Sequence, residues 1–221
     1  MTIITRPWQI AIPTSQMDTL RGQVRFQRLL TLAQIVNSIR FAQSAAVDRR
    51  GDDSPASDRQ RAESVFYLAG VLDEGLNFAE RLGEHFRDLP AYKGIVAVLK
   101  GAASLRAGLL DRLRNQAVYH KNDECAQTGL ARMRSAEYVF AASNSRQAGD
   151  VYYQLADHAF FAFMLDAEVT DFRPAFSDAI SQVVTLANDF ARASDRMIAE
   201  ELQRLGFRPE EVDSAGCTSD K

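Results

Sequence analysis

The segment "LRNQAVYH", from Leu113 to His120, brings a guanidinium, a carboxamide and an imidazole into an otherwise apolar stretch of the chain. Arg114 keeps its charge at any physiological pH and can hold two oxygens of a phosphate or a carboxylate in a fork. The imidazole of His120 titrates near neutral pH, so it can accept and return a proton within one reaction. Together these two groups suit chemistry on a phosphate.

A structural interpretation of the same residues stays open. A buried arginine cannot shed its charge and must contact a carboxylate, another anion or water, and a buried imidazole needs hydrogen-bond partners. In this interpretation Arg114 reaches a surface carboxylate, and His120 is a hydrogen-bonded histidine of the protein interior.

On an ideal α-helix, His120 faces a core or an interface because it shares one stripe with apolar residues. Arg114 lies roughly 120° around the helix from His120 and about 9 Å along the axis, at the margin of the stripe beside Leu110. Asn115 lies further round the helix. The apolar residues of the stripe are Leu109, Leu113 and Ala117.

The segment lies in a basic part of the chain. Residues 91–134 contain eight basic and three acidic side chains, a net charge of +5, whereas the rest of the chain carries −8. The whole-chain charge of −3 argues against a protein that coats nucleic acid through bulk electrostatics, but it permits a local basic surface. A solvated helix face that happens to be basic is the alternative explanation.

The other two histidines have structural interpretations. His85 lies near a predicted helix end, where a partly charged imidazole is favourable at the negative terminus. His158 is surrounded in sequence by aromatic residues, which predicts a packed, hydrogen-bonded core histidine. None of the three histidines has a glutamate three residues before it, so the Glu-x-x-His pairs of a di-iron carboxylate bundle are absent.

The elements that must position these residues are helices. Apolar residues recur every three or four positions over most of the chain, and no run of alternating β-branched or aromatic residues predicts a strand. The pattern predicts an all-α fold, a bundle of about five or six helices. The helices are expected at about 17–47, from a cap at Ser57 or Asp58 to about 86, from Pro90 to about 121, at about 123–142, at about 151–165, and from near Pro174 to about 205.

The length of 221 residues favours a single domain. Residues 1–16 are expected to be extended, 17–206 to form the helical domain, and 207–221 to form a flexible tail. The two cysteines, Cys125 and Cys217, are too few for a disulfide framework. With no secretory signal and no apolar run long enough to span a bilayer, the sequence predicts a soluble cytoplasmic protein.

Motifs of several enzyme classes are absent from the sequence. There is no phosphate loop of the GxxxxGK[ST] type, no GxGxxG after a strand and no HExxH. These absences argue against nucleotide-binding folds and zinc proteases, and no metal site is predicted.

The Arg-Asn-x-x-x-x-His pattern of Arg114, Asn115 and His120 resembles the motif that HEPN-superfamily proteins carry on a late helix of an α-helical bundle. In that family an arginine, usually followed by a polar residue, precedes a histidine by about four to six intervening residues, and five intervene here. The earlier segment "VLDEGLNFAERL" is similar to the long amphipathic HEPN helix that bears an acidic residue, which makes Glu74 a candidate accessory group. The resemblance covers about residues 57–167.

This resemblance implies metal-independent cleavage of RNA, with no cofactor. His120 would assist the attack of a ribose 2′-hydroxyl on its neighbouring phosphate, Arg114 would stabilise the phosphorane, and Asn115 would orient the pair. The further candidates are Tyr119 as an accessory neighbour and Arg112 and Lys121 as RNA contacts.

The resemblance also implies partners, because HEPN sites are commonly built from the motifs of two protomers. A homodimer is therefore expected, in a bacterial toxin or defence protein with an antitoxin or activator. HEPN toxins paired with a minimal nucleotidyltransferase usually carry a tyrosine two residues after the histidine, where this chain has Asn122.

Other functions stay open beside RNA cleavage. Some HEPN domains act in binding or assembly, and the main alternative is a non-catalytic helical dimerisation or interaction module in which the motif residues form a structural polar network. A third possibility is a ligand-binding regulator that uses the aromatic helix around Phe160 and Phe163.

Overall fold

Apolar residues spaced three or four apart build the helices of this protein, whose computed structural model describes residues 8–47, 55–113, 123–134, 140–143 and 151–211. The helices are α1 (Thr14–Arg21), α2 (Val24–Val47), α3 (Pro55–Glu80), α4 (Gly83–Phe86), α5 (Tyr92–Leu105), α6 (Asp123–Arg132), α7 (Gln154–Leu165) and α8 (Phe172–Arg204). The strands have two residues each: β1 (Trp8–Gln9), β2 (Ala142–Ser143), β3 (Val151–Tyr152) and β4 (Glu210–Glu211). In this part of the chain six helices have ten or more residues, which confirms the predicted all-α bundle.

The main core lies where α2, α3, α5 and α8 pack together, with side chains of α7 added at one end. The apolar stripes predicted for α2 and α3 are confirmed, since all of their members are buried. Those stripes consist of Leu29, Leu32, Val36 and Ile39 on α2, and Val65, Leu68, Leu72, Leu76 and Ala79 on α3. Among the described residues, none of the helices combines the length and apolar character needed to cross a membrane.

The predicted first helix is two helices. The chain turns at Gly22, which follows α1, and α2 starts at Val24. Glycine weakens a continuous helix, and the turn lets Leu20 bury itself in a small second core with Phe26. The prediction that residues 1–16 are extended is also wrong in its last part, because α1 begins at Thr14.

The second predicted helix also differs at both ends. It begins at Pro55, so Ser57 and Asp58 lie inside the first turn of α3 and the predicted cap is wrong. Proline is well suited to a first helical position because its missing N–H is not needed there. The helix ends at Glu80, and a turn separates it from α4, which begins at Gly83.

Between residues 123 and 165 the predicted helices are shorter than expected. The helix predicted to reach about residue 142 ends at Arg132, because the backbone then pairs with a later segment: the Val169 N–H donates to the Arg132 carbonyl (3.0 Å), and the Arg134 N–H donates to the Val169 carbonyl (2.9 Å). The helix predicted from residue 151 begins at Gln154, after β3, which pairs antiparallel with β2.

The two ends of the described chain meet. Strand β1 pairs antiparallel with β4, with Trp8 opposite Glu211. Phe207 is buried against Leu20 and Phe26 in the second core, after α8 has ended and Gly206 has turned the chain with a φ of 92°. The prediction of a flexible tail is therefore wrong for residues 207–211, and residues 212–221 lie outside the described part.

Candidate functional site

The helix that leads to the motif changes its winding just before it. After α5 the backbone forms a π-helical turn over Arg106–Leu110, and the Asp111 N–H donates to the carbonyls of Arg106 and Gly108. A π-helical turn holds more residues than an α-helical turn, so it shifts the facing of everything that follows. Leu110, predicted at the margin of the apolar stripe, is fully buried. A helical wheel drawn for a regular α-helix therefore does not predict in which direction the side chains after this turn point.

Most of the predicted site residues lie beyond the last described position of this helix, Leu113, which is buried. Residues 114–122 are outside the described part of the chain. They contain the predicted catalytic and accessory residues Arg114, Asn115, Tyr119 and His120, and the predicted RNA contact Lys121. The roles of these residues stay predictions.

Arg106 in the π-helical turn forms hydrogen bonds and ion pairs with residues of α3. Its guanidinium donates to the Asn77 side-chain oxygen and to Glu80 Oε1, both at 2.5 Å, and its Nε lies 3.6 Å from Asp73 Oδ1. Asn77 Nδ2 also donates to Asp73 Oδ2 at 3.0 Å. Residues at this spacing share one helix face, so α3 presents a row of three oxygen-bearing side chains to the turn. These contacts fix the start of the segment that carries the motif.

Glu74, the predicted accessory residue, lies beside this row but is exposed on α3. Its neighbour Asp73 is buried and is the acidic residue that contacts the helix leading to the motif. The spacing of Asp73, Asn77 and Glu80 was visible in the sequence, but their partner Arg106 could be identified only from the fold.

Two arginines bind the C-terminal end of α7: Arg112, which follows the π-helical turn, and Arg132, the last residue of α6. Arg112 Nε donates to the Met164 carbonyl at 2.7 Å, and Arg132 donates to the Phe163 carbonyl at 2.9 Å. Both guanidiniums also approach the carboxylate of Asp166, at 3.5 Å from Arg112 and 2.5 Å from Arg132. The last carbonyls of a helix lack N–H partners and carry the negative end of its dipole, so two cations stabilise them. The predicted RNA contact Arg112 is thus held by α7, and its contact with RNA stays a prediction.

Most of the described basic side chains of residues 91–134 form ion pairs or hydrogen bonds within the protein. Arg106, Arg112 and Arg132 bind as described, and Arg134 pairs with Glu168 at 2.8 Å. Lys93 and Lys100 on α5 are exposed, and no ion pair to either is formed by the described residues. Among the described residues of this basic segment, the positive charge that is exposed and not in an ion pair is that of Lys93 and Lys100 on α5.

A groove of about 1420 Å³ runs between α5 with its π-helical turn and α8. Three glycines line the wall formed by α5 and the π-helical turn: Gly94, Gly101 and Gly108. This volume exceeds that of a usual small-molecule pocket. The α8 wall carries charges of both signs, from Asp178, Asp189, Arg192 and Arg196.

The two described histidines differ in environment. His85 lies in the last turn of α4, with its ring edge-on to Phe86 at 6.5 Å between centroids. His158 is half-buried on α7, and this burial lowers the pKa of its imidazole to about 4. It is therefore neutral at pH 7. No group of three or more His, Cys, Asp or Glu side chains in the described ranges is arranged to hold a metal ion.

Comparisons with protein families, with curated proteins and with solved structures found no match to this chain.

Proposed function

We propose that this protein is a metal-independent endoribonuclease of the HEPN type, in which Arg114, Asn115 and His120 form the catalytic group. The observation that carries the proposal is the Arg-Asn-x-x-x-x-His motif, which follows within four residues of a π-helical turn in an all-α bundle. Single π-helical turns are rare in proteins overall, but those that occur often lie at functional sites. Here Arg106 binds the turn to α3, and Arg112, which follows the turn, binds a carbonyl at the end of α7, so the segment before the motif is held at two points.

In the proposed reaction His120 takes the proton of a ribose 2′-hydroxyl as its oxygen attacks the adjacent phosphorus. The bond from phosphorus to the 5′-oxygen breaks, the leaving oxygen takes up a proton, and a 2′,3′-cyclic phosphate remains. Arg114 stabilises the charge that develops on the phosphorane oxygens, and Asn115 orients the two groups. The supporting residues of the proposal are Tyr119 and Glu74 as accessory groups and Arg112 and Lys121 as RNA contacts.

The biological setting belongs to the same proposal. The protein would act in the cytoplasm as a bacterial toxin or defence protein, with RNA as its substrate and an antitoxin or activator as a regulating partner. A homodimer would place the motifs of two protomers together, so that one histidine acts as base and the other as acid.

The test is cleavage of end-labelled RNA by the purified full chain in EDTA, with His120→Ala and Arg114→Ala beside it. Loss of a general acid–base group lowers the rate by roughly 10²–10⁴-fold, so His120→Ala is expected to be nearly inactive. The products of the unaltered protein should end in 2′,3′-cyclic phosphate and 5′-hydroxyl.

His85→Ala is the matched control, since His85 lies outside the motif at the end of α4. It should cleave like the unaltered protein, and circular dichroism should show that every variant is folded. Equal cleavage by His120→Ala and the unaltered protein, or no cleavage of any RNA in a panel of structured and single-stranded substrates, would contradict the proposal.

A second function is favoured by the way the neighbouring arginines are used. Arg106, Arg112 and Arg132 all bind carboxylates or carbonyls inside the molecule. If Arg114 and His120 do the same, the motif is a structural polar network in a non-catalytic helical interaction module. This alternative predicts that Arg114→Ala and His120→Ala lower the melting temperature or weaken association, and that the unaltered protein cleaves no RNA.

A further inference from the structure

The outer face of α2 is nearly free of charge. Large apolar side chains are exposed on it, with 55% of Leu30 and 69% of Phe41 open to solvent. Of the described exposed side chains of α2, only Arg40 is charged, and it contacts Asp195 of α8 at 2.5 Å. Exposed helix faces usually carry charged residues, and apolar side chains in such a setting indicate an interaction surface.

The residues of this face form a regular seam, opposite the side of α2 that enters the core. They are separated alternately by three and four positions, which is the spacing of a helix that packs along another helix. All of them are exposed. The seam consists of Gln27, Leu30, Gln34, Asn37, Phe41 and Ser44.

The order of residue types along the seam reads similarly in both directions. From either end it runs as a polar residue, a large apolar residue and a carboxamide. An antiparallel copy of the same helix would therefore place Leu30 opposite Phe41, Gln34 opposite Asn37, and Gln27 opposite Ser44. In a twofold interface each of these pairs occurs twice, because residue i contacts residue j and residue j contacts residue i.

We propose that two copies of this chain associate through antiparallel packing of their α2 seams. The twofold axis passes between residues 35 and 36 of both helices. Leu30 of each protomer then packs against Phe41 of the other, and both side chains become buried from solvent. The carboxamides of Gln34 and Asn37 carry a donor and an acceptor each, so they satisfy one another across the axis.

A second copy fits this seam because the seam complements itself. No charge of the seam requires an opposite charge on the partner, and Arg40 lies to one side, already paired with Asp195. None of the seam residues belongs to the Arg114–His120 motif, so this interface is separate from the motif-to-motif association of the proposed nuclease, and the inference stands or falls independently of RNA cleavage.

Sedimentation of the purified full chain over a concentration series tests the proposal. The unaltered protein should dimerise reversibly. Leu30→Glu places a carboxylate against Phe41 of the partner and should weaken the dimer at least about thirtyfold, as expected at the centre of an interface. Leu130→Glu is the matched control, since Leu130 on α6 is also half exposed, at 50%, but lies off the seam. This control should dimerise like the unaltered protein.

The double variant Leu30→Glu with Phe41→Lys tests the antiparallel register. It creates two ion pairs across the twofold axis, whereas within one helix the two positions are about 16 Å apart and do not meet. Dimerisation should return to within about tenfold of that of the unaltered protein. The proposal is overturned if the unaltered chain stays monomeric up to its solubility limit, if Leu30→Glu dimerises normally, or if the double variant associates no better than Leu30→Glu.

Discussion

The strongest stability prediction concerns Arg25, which joins α2 to the end of α8 and to the turn after α4. Its Nε and one terminal nitrogen donate to the two carboxylate oxygens of Glu201 at 2.8 and 2.7 Å. Its other terminal nitrogen donates to both oxygens of Asp88 at 3.0 and 3.1 Å. The guanidinium also lies 4.8 Å from the centre of the Phe86 ring. The hydrogen bond to Glu201 is the main cause that raises the pKa of Arg25.

We expect Arg25→Met to destabilise the protein by about 3 kcal/mol, because it leaves the Glu201 carboxylate buried without its bidentate partner. The Glu201 side chain is only 1% exposed. Breaking a buried pair costs about 3–5 kcal/mol, and the lower end applies because the Arg25 side chain is 24% exposed and Arg204 remains 3.7 Å from Glu201. In a chain of this length that loss corresponds to a melting temperature lowered by about 6–12 °C.

Urea unfolding of a double-mutant cycle measures the effect. The variants are Arg25→Met, Glu201→Met and the double variant, and methionine keeps most of the apolar contact of either side chain. The double variant should lose less than Arg25→Met alone, because it removes the buried Glu201 carboxylate that Arg25→Met leaves without its partner. A loss of less than about 1 kcal/mol in Arg25→Met would refute the reasoning, since it would mean that Glu201 is well solvated or has another adequate partner.

The remaining predictions concern a close helix contact and a buried imidazole. Gly129→Ala should destabilise the fold by at least about 2 kcal/mol in urea unfolding, because the new Cβ would overlap the Ala159 carbonyl oxygen and lie 2.6 Å from its carbonyl carbon. Gly101→Ala, where nothing lies within 4 Å, should be neutral or stabilising, and equal losses in both variants would contradict this account. The pKa of His158 is about 4 in the fold against about 6.5 in the unfolded chain, so the unfolded state binds more protons in that window and stability should rise with pH between these values. His158→Asn should flatten the unfolding free energy over that range, and an unchanged pH dependence would show that His158 titrates normally.

Helix type and buried stripes could be predicted from the sequence because they depend on local spacing. Leu32 and Ile39 are buried as the 3.6-residue period requires, and the end of α8 before Gly206 follows from the conformational freedom of glycine. Helix ends were less predictable. The turn at Gly22 accompanies the packing of Leu20 against Phe26 and Phe207. The end of α6 at Arg132 depends on backbone pairing with Val169, more than thirty residues later.

The candidate site could be predicted only as a motif. No periodic signal marks the π-helical turn at Arg106–Leu110, and the residues that bind Arg106, namely Asp73, Asn77 and Glu80, lie on another helix. The same limit applies to Arg112, since a lone arginine in a sequence does not reveal that the end of α7 will bind it. Residue types predict a chemistry for the motif, whereas the partners that hold Arg106 and Arg112 come from contacts distant in sequence.

The packing of Phe207 against Leu20 and Phe26 has a consequence for synthesis on the ribosome. Leu20 and Phe26 are synthesised well before Phe207, which packs against them. At about 5–20 residues per second, roughly 10–40 s pass between these events. During that time Leu20 on α1 and Phe26 on α2 lack their contact with Phe207, so the nascent chain exposes apolar surface that the folded protein buries. This second core can therefore form only after Phe207 has been synthesised.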